Sequence, residues 1–322
     1  MVSMSDLSVM LFPWGKQNPS VNEIVAAAQL AEDLGFHSVT LPTHMTLPPG
    51  WLFTEFDNED CLDALAIVPA IAQSTSRIKI GFSSVLLPIL PPYQWAKYLS
   101  TLDVMSDGRL IVGAAMGWWE EDFTSLGVDK KKRGKLFNEQ LEIVTKLWTE
   151  ERVTFHGEHY DLNNMPMEPK PIQKPYPPIW IGGGLMSVWR AAKYGKCLLA
   201  FWPDEKAARD TWCPKLAEEG AKFGTDPKLA AFTFGYVADD DADLATQAGR
   251  LETAVGFEGG GVDPGDVSIT GSPERCASKL NSLHDAGVWH FVLEFQFHGL
   301  ETVDFGMRQM TKFVDRVGPL LS

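Results

Sequence analysis

The stretch RIKIGFSSVLLPILPPYQWAKYLSTLDVMSDGRLIVGAAMGW, Arg77 to Trp118, carries the fold in outline. Ile78 to Leu87 and Leu110 to Met116 are short apolar runs of strand character, and Tyr93 to Met105 between them has helical period. A strand, a helix and a second strand in that order form a βα unit of a parallel sheet. The first strand is long enough to hold a bulge near Ser83 and Ser84.

The same alternation extends in both directions. Upstream, Leu7 to Phe12 and His37 to Leu41 read as strands, followed respectively by helices over Val21 to Leu34 and Leu62 to Gln73. Ile24, Ala27, Ala28, Ala31 and Leu34 share one face of the first helix, which Gly35 ends. Downstream, Glu120 to Trp148 is helical with an interruption over Gly127 to Gly134. Residues 151–178 then change texture: short-period alternation followed by prolines predicts a hairpin and an extended excursion inserted before strand five. Ile179 to Ile181, Cys197 to Phe201, Leu229 to Val237 and Val288 to Phe295 complete eight strands. Helices are expected at Met186 to Tyr194, Glu205 to Phe223, Ala242 to Val255, Ala277 to Ala286 and Val303 to Val317. The glycine-rich run Phe257 to Gly265 reads as a lid, and Gly271, Ser272, Pro273 and Glu274 as a helix start. Eight strands alternating with helices predict an α/β fold, a closed (β/α)8 TIM barrel, as one domain over residues 1–322.

Composition narrows the function. The chain has 322 residues, 45% hydrophobic and 22% charged, as ordinary globular proteins do. Its net charge of −14 repels nucleic acid and acidic membrane surfaces. The short basic run Lys130 to Arg133 reads as a solvated helix start. Cys61, Cys197, Cys213 and Cys276 are scattered, without a CxxC pair, which predicts neither zinc nor a disulfide framework and suits a reducing cytoplasm. No secretory leader or membrane-length apolar run is expected. The expected partner is a small-molecule substrate, with a homodimer as the expected assembly.

In such a barrel the chemistry sits where strands end. Strand two delivers Thr43 and His44; strand three Ser83, Ser84, Val85 and Leu87; strand four Met116 and Gly117; strand five Gly182, Gly183 and Gly184. The triple glycine precedes a helix start, where backbone N–H groups and the helix dipole suit a phosphate. An imidazole at position 44 is suited to general acid or base work. Of eleven tryptophans, Trp14, Trp51, Trp118, Trp119 and Trp202 fall on rim loops and could stack on a planar ring or line an apolar substrate cavity. His298, near the end of strand eight, is a weaker candidate for the same pocket. Glu120, Glu121 and Asp122 either reach the site or serve the helix dipole. His156 and His159 in HGEHY lack a third ligand, so no metal is expected. The absence of GxSxG and of HxH after strand one disfavours serine and metal hydrolases.

These runs together resemble the bacterial luciferase-like flavin and deazaflavin oxidoreductases. The matching stretches are RIKIGFSSVLLP, AKYLSTLDVMSDGRLIVGAAMGW, RGKLFNEQLEIVTKLW, VTFHGEHYDL, PKPIQKPYPPIWIGGG and TGSPERCASKLNSLHDAGVWHFVL, in order along most of the chain. The resemblance implies a luciferase-like barrel with an insertion before strand five, and a non-prolyl cis peptide at Ser84–Val85 pressed against a cofactor ring. It implies backbone binding of the cofactor phosphate by Gly183 and Gly184, Met116 and Gly117 flanking the ring or its ribityl chain, and His44 as the active-site histidine. The cofactor-contacting set expected on this basis is Thr43, Ser84, Val85, Leu87, Met116, Gly117, Gly183 and Gly184. Two departures matter: Thr43 stands where the family commonly has Asp, and Trp118 where its sugar-phosphate dehydrogenases carry an acid. The implied activity is hydride transfer from reduced coenzyme F420, or hydride transfer or monooxygenation with reduced FMN, on a small apolar or aromatic substrate. The alternatives are a flavin-binding protein of the same fold without turnover and an unrelated phosphate-binding aldolase or isomerase barrel.

Overall fold

The computed structural model describes residues 1–15, 18–45, 61–247, 268–297 and 299–321. Trp51, His298, the lid expected at 257–265 and the end of the helix expected before it lie outside the described residues. Strands β1 (Leu7–Met10), β2 (Ser38–Leu41), β3 (Lys79–Leu86) and β4 (Leu110–Ala115) come first, then a hairpin of β5 (Arg152–His156) and β6 (Asp161–Pro166). They are followed by β7 (Ile179–Gly182), β8 (Cys197–Phe201), β9 (Lys228–Val237), β10 (Ile269–Gly271) and β11 (Val288–Glu294). Parallel pairing runs β11, β1, β2, β3, β4, β7, β8, β9 and back to β11, which closes an eight-stranded barrel. The antiparallel β5–β6 pair is the insertion. β10 had no counterpart in the periodicity; it pairs with Gly235 to Val237, the part of β9 that runs past β11.

Local chemistry explains the main elements. Ser20 and Glu23 form a capping box at the start of Val21–Asp33, and Ser272 caps Pro273–Asp285 with Pro at its first position. Trp95 and Trp148 are both buried; their indole N–H groups donate to Leu87 O at 2.9 Å and Ala96 O at 3.0 Å. Those bonds fix helix Pro92–Met105 against Arg133–Thr149 and anchor the turn that leaves β3. The insertion is tied to the same helix, because Gln173 donates through its backbone and side-chain amides to Asp103 at 3.0 and 2.7 Å. The expected continuous helix over Glu205 to Phe223 contains a π turn at Ala208–Trp212.

β3 and β4 approach closely at two glycines. A Cβ on Gly81 would lie 1.9 Å from Ile111 O, and one on Gly113 1.9 Å from Phe82 O. Just beyond, the register steps from Phe82 opposite Val112 to Val85 opposite Ala114, so β3 carries one extra residue. The cis peptide lies within this bulge at Ser83–Ser84, one bond earlier than the expected Ser84–Val85. Because backbone rather than a flexible side chain blocks the space, Gly113→Ala should cost about 3 kcal/mol or more, the upper end of overpacking. Chemical unfolding checks this; a loss under about 0.5 kcal/mol would show that β3 and β4 can separate freely.

Candidate functional site

The strand ends surround a cavity of about 360 Å³. From β1 it receives Met10, Phe12 and Trp14; from β2 Pro42, Thr43 and His44; from the β3 bulge Ser83, Ser84 and Leu86. β4 adds Ala115, Met116, Gly117 and Trp118, β7 adds Gly182 and Gly183, and β8 adds Phe201. The volume and the mainly aromatic and aliphatic wall with a few polar groups suit a planar organic ligand.

His44 is held from behind. Its Nδ1 lies 2.8 Å from Asp122 Oδ2, and Asp122 Oδ1 accepts the Met45 N–H at 2.7 Å. Asp122 is fully buried and lies in the first turn of Glu120–Thr124. Of the two explanations open for the acids at 120–122, the structure therefore separates them: Glu120 pairs with Lys130, whereas Asp122 reaches the site. The imidazole also meets Trp14 and Trp118 edge to face, at centroid distances of 5.7 and 6.3 Å. With Nδ1 engaged by the carboxylate, Nε2 is the nitrogen suited to exchanging a proton with a bound molecule. Cys61 approaches the His44 carbonyl at 3.9 Å, but burial, with Asp122 and Asp63 adding to it, pushes its thiol up to about 12. It stays protonated at neutral pH and is not a nucleophile.

Thr43 turns its polar atoms to the bulge. Its backbone N–H and its hydroxyl both donate to Ser84 O, at 3.3 and 2.7 Å. Ser83 Oγ donates to Thr40 Oγ1 at 2.9 Å. The bulge is thus clasped to β2 on both sides of its extra residue. Gly182 lets Ser84 sit across the barrel, since a Cβ there would meet Ser84 Oγ at 2.8 Å.

The Gly182–Gly183 turn leads into Leu185–Ser187 and helix Val188–Tyr194. Gly183 has φ +140°, and its Cβ position lies 2.8 Å from Ser187 Oγ. Among the described residues that buried hydroxyl has no hydrogen-bond partner. Arg133, also lining the cavity, has a buried Nε without one, while its Nη1 donates to Lys130 O at 3.1 Å. Arg133 thus stands on the cavity wall, and Ser187 lies behind the glycine turn that reaches it. The run Lys130 to Arg133 is therefore more than a solvated helix start: its last residue reaches the cavity.

Of the residues singled out from the sequence, Trp14, Thr43, His44, Ser84, Met116, Gly117, Trp118 and Gly183 come together on this wall. Val85 and Leu87 do not: both are packed in the core, and Leu86 faces the cavity instead. The extra residue in the bulge shifts the in-out alternation by one. Gly184 lies just past the lining. Trp119 packs on Trp118 at 5.8 Å, and Trp202 stacks on Phe234 at 5.7 Å while Phe201 takes the lining place. His156 pairs with Asp161 across the hairpin at 2.5 Å. Arg133, at a helix start, lies outside what strand-end reasoning reaches, whereas Asp122 is one of the three acids that reasoning left open.

A model of the luciferase-like monooxygenase family matches residues 7–260. The chain belongs to this family. It is 30% identical over 193 residues to an uncharacterised protein of Mycobacterium tuberculosis, covering 57% of this chain and 66% of that one. It is 29% identical over 159 residues to the FMNH2-dependent dimethylsulfone monooxygenase of Pseudomonas putida, covering 48% of this chain and 42% of that one. The chain thus spans less than two thirds of the length of these curated relatives. Among solved structures, an F420-dependent secondary alcohol dehydrogenase in complex with an F420–acetone adduct superposes with a TM-score of 0.78. That match covers 97% of this chain and 98% of the other at 20% identity, and it establishes the common barrel. Among the described residues no helix is long and apolar enough to cross a membrane.

Removing the buried carboxylate would strand two donors, His44 Nδ1–H and the Met45 N–H. Asp122→Ala should therefore lower stability by about 1–3 kcal/mol, the cost of leaving such groups unsatisfied, whereas Asp122→Asn, which retains one acceptor, should lose less. Equal losses in the two variants, measured by chemical unfolding, would mean that packing rather than hydrogen bonding holds Asp122.

Proposed function

We propose that the protein is an oxidoreductase that takes a phosphate-bearing flavin-type cofactor, FMN or coenzyme F420, in the strand-end cavity and acts on a small apolar or aromatic substrate. The observation that carries this is the pairing of two features on one cavity wall: a histidine tethered to a buried carboxylate, and a glycine turn at a helix start together with Arg133. The residues fit such a cofactor. Gly183 at the turn and Arg133 on the same cavity offer donors for a phosphate, and the aromatic wall offers a surface for a planar ring. When bound, the cofactor supplies the hydride or the activation of oxygen. Support for this class comes from the family membership and from the flavin- and F420-dependence named for the Pseudomonas putida enzyme and the alcohol dehydrogenase.

The chain's own residues then do three things. The glycine turn fixes one end of the ligand, and Phe12, Trp14, Leu86 and Trp118 exclude water from the other. Thr43 spends its hydroxyl on Ser84 O, so the cofactor contact at this wall comes from bulge backbone rather than from a carboxylate. His44, oriented by Asp122, gives a proton to or takes one from a substrate oxygen through Nε2. Trp118, half-exposed at the mouth, favours substrates with apolar or aromatic surface.

Absorbance and fluorescence titration of the purified protein with FMN and with F420 tests the first claim; binding of neither ends it. Ser187→Ala and Arg133→Gln should each weaken the bound cofactor about tenfold, the loss of roughly one hydrogen bond to a charged group. For the chemistry, His44→Ala should keep cofactor affinity while oxidation of the reduced cofactor by a panel of small ketones, aldehydes and aromatic compounds falls about 10²–10⁴-fold. Turnover unchanged by His44→Ala removes it from the mechanism, and reduced cofactor that binds but is never consumed, even with oxygen, favours a binding protein.

A further inference from the structure

The other end of the barrel holds a second cavity, of about 410 Å³, where the strands begin. Lys79 is the first residue of β3, Lys196 stands just before β8 and His37 just before β2. The ladder itself brings them together: Lys79 N–H donates to His37 O at 3.1 Å, and Lys196 N–H to Ile179 O at 2.8 Å. Lys174 joins from the insertion. In a chain of net charge −14, three lysines and a histidine thus converge on one opening.

Acids act on two of them, and at Lys79 the attraction of Asp103 is larger than the repulsion from either neighbouring cation. Asp6 is the acid that acts on His37, and Asp103 the one that acts on Lys79. The Asp103 carboxylate oxygens already accept two bonds from Gln173. Lys174 Nζ donates to a backbone carbonyl, Pro171 O, at 2.9 Å. Burial, with Lys79 and then Lys196 pushing the same way, lowers the pKa of His37; burial, with Lys196 and Arg109 pushing the same way against Asp103, lowers that of Lys79. Half-buried Lys79 and exposed Lys174 and Lys196 carry the positive charge of this opening, and a bound anion would add to Asp103 in offsetting it.

The cavity also has flat walls and an uncharged floor. Lys196 Nζ lies 5.3 Å from the centroid of Trp289, and Trp289 meets Trp180 at 6.1 Å. Tyr176 and Tyr194 line another side. On the floor His290 is buried, bonded through Nε2 to Ser8 Oγ at 2.7 Å, and Ser38 Oγ donates to Ser8 Oγ at 2.6 Å. Burial, then His37 and Lys196, push His290 down to about 3, so it is neutral at physiological pH and adds no charge.

We propose that this strand-start end of the barrel is a binding site, separate from the rim, for a small phosphate monoester carrying a flat ring. The phosphate lies among Lys79, Lys174 and Lys196, and the ring packs on Trp289 and Tyr176. Lysine suits the role of a point charge for phosphate, and the tryptophan face gives the ring a partner.

Calorimetric titration of the full-length protein at low salt with phenyl phosphate tests this. The rim cavity has its own anion-directed donors, so the titration is run on the native protein and on Arg133→Gln. Binding is expected in both, tighter for phenyl phosphate than for methyl phosphate, and weaker as salt rises. The Lys174→Gln/Lys196→Gln double variant changes two exposed side chains and should melt like the native protein while binding at least tenfold more weakly. Lys79→Gln should weaken binding similarly, and Trp289→Leu should remove the preference for the phenyl ester. Absence of binding to the native protein, binding that survives the lysine substitutions, or loss in Arg133→Gln instead would each overturn the proposal.

Discussion

Closing eight parallel strands leaves no backbone edge to satisfy elsewhere, but it demands that every neighbour approach within ladder distance around the whole ring. Between β3 and β4 that demand is met only because residues 81 and 113 lack a Cβ, with carbonyl oxygens occupying the space one would fill. Immediately past Phe82 the two strands fall out of step by one residue, and the extra length becomes the Ser83–Ser84 bulge. The bulge faces the cavity because the barrel is tight below it. Thr43 and Thr40 clasp it from β2, and Gly182 makes room for it from β7, so one packing constraint shapes three walls of the site.

A second constraint acts on His44. A fully buried carboxylate is costly unless its oxygens are occupied, and Asp122 has only a short helix on which to arrive. Its two oxygens are met by one backbone N–H and one imidazole nitrogen from consecutive residues, which locks the segment after β2 and the ring together. The ring is then boxed by Trp14 and Trp118. A histidine so held has few rotamers left, which is the condition for directed proton transfer on a pocket wall that is otherwise unable to exchange protons.

Much of this was legible in the sequence, and the failures have physical causes. Strands such as Leu110–Ala115 and Cys197–Phe201 are buried on both sides and appear as unbroken apolar runs, so they and the (β/α)8 order could be read directly. The three residues of β10 are too few to show a period, and their strand character comes from the overhang of β9. Position at the end of strand three and the family resemblance point to Val85 and Leu87, but neither reveals which side chains the bulge turns inward, and both pack in the core. Trp119 and Trp202 sit on the correct loops but turn toward aromatic neighbours, a choice that packing makes and loop position does not reveal. Asp122 was visible only as one of three adjacent acids, and Arg133 only as the end of a basic run; which member turns inward depends on helix phase set by Phe123 and Phe137 in the core.

The two ends of the barrel now look chemically opposite for a reason that starts with strand polarity. At the strand ends, among the described residues lining the cavity, aromatic side chains predominate and the ionisable groups are His44, tethered to Asp122, and Arg133. At the strand starts, connections are short, so the residue just before or at the start of a strand is fixed in place by the ladder. Lys79 and Lys196 are fixed in this way, while burial lowers the pKa of His37 and takes that of His290 down to about 3, which favours their neutral forms. A rim suited to a planar ligand and a base suited to an anion therefore share one closed sheet, with the hydrogen-bonded group of Ser8, Ser38 and His290 buried near the strand starts.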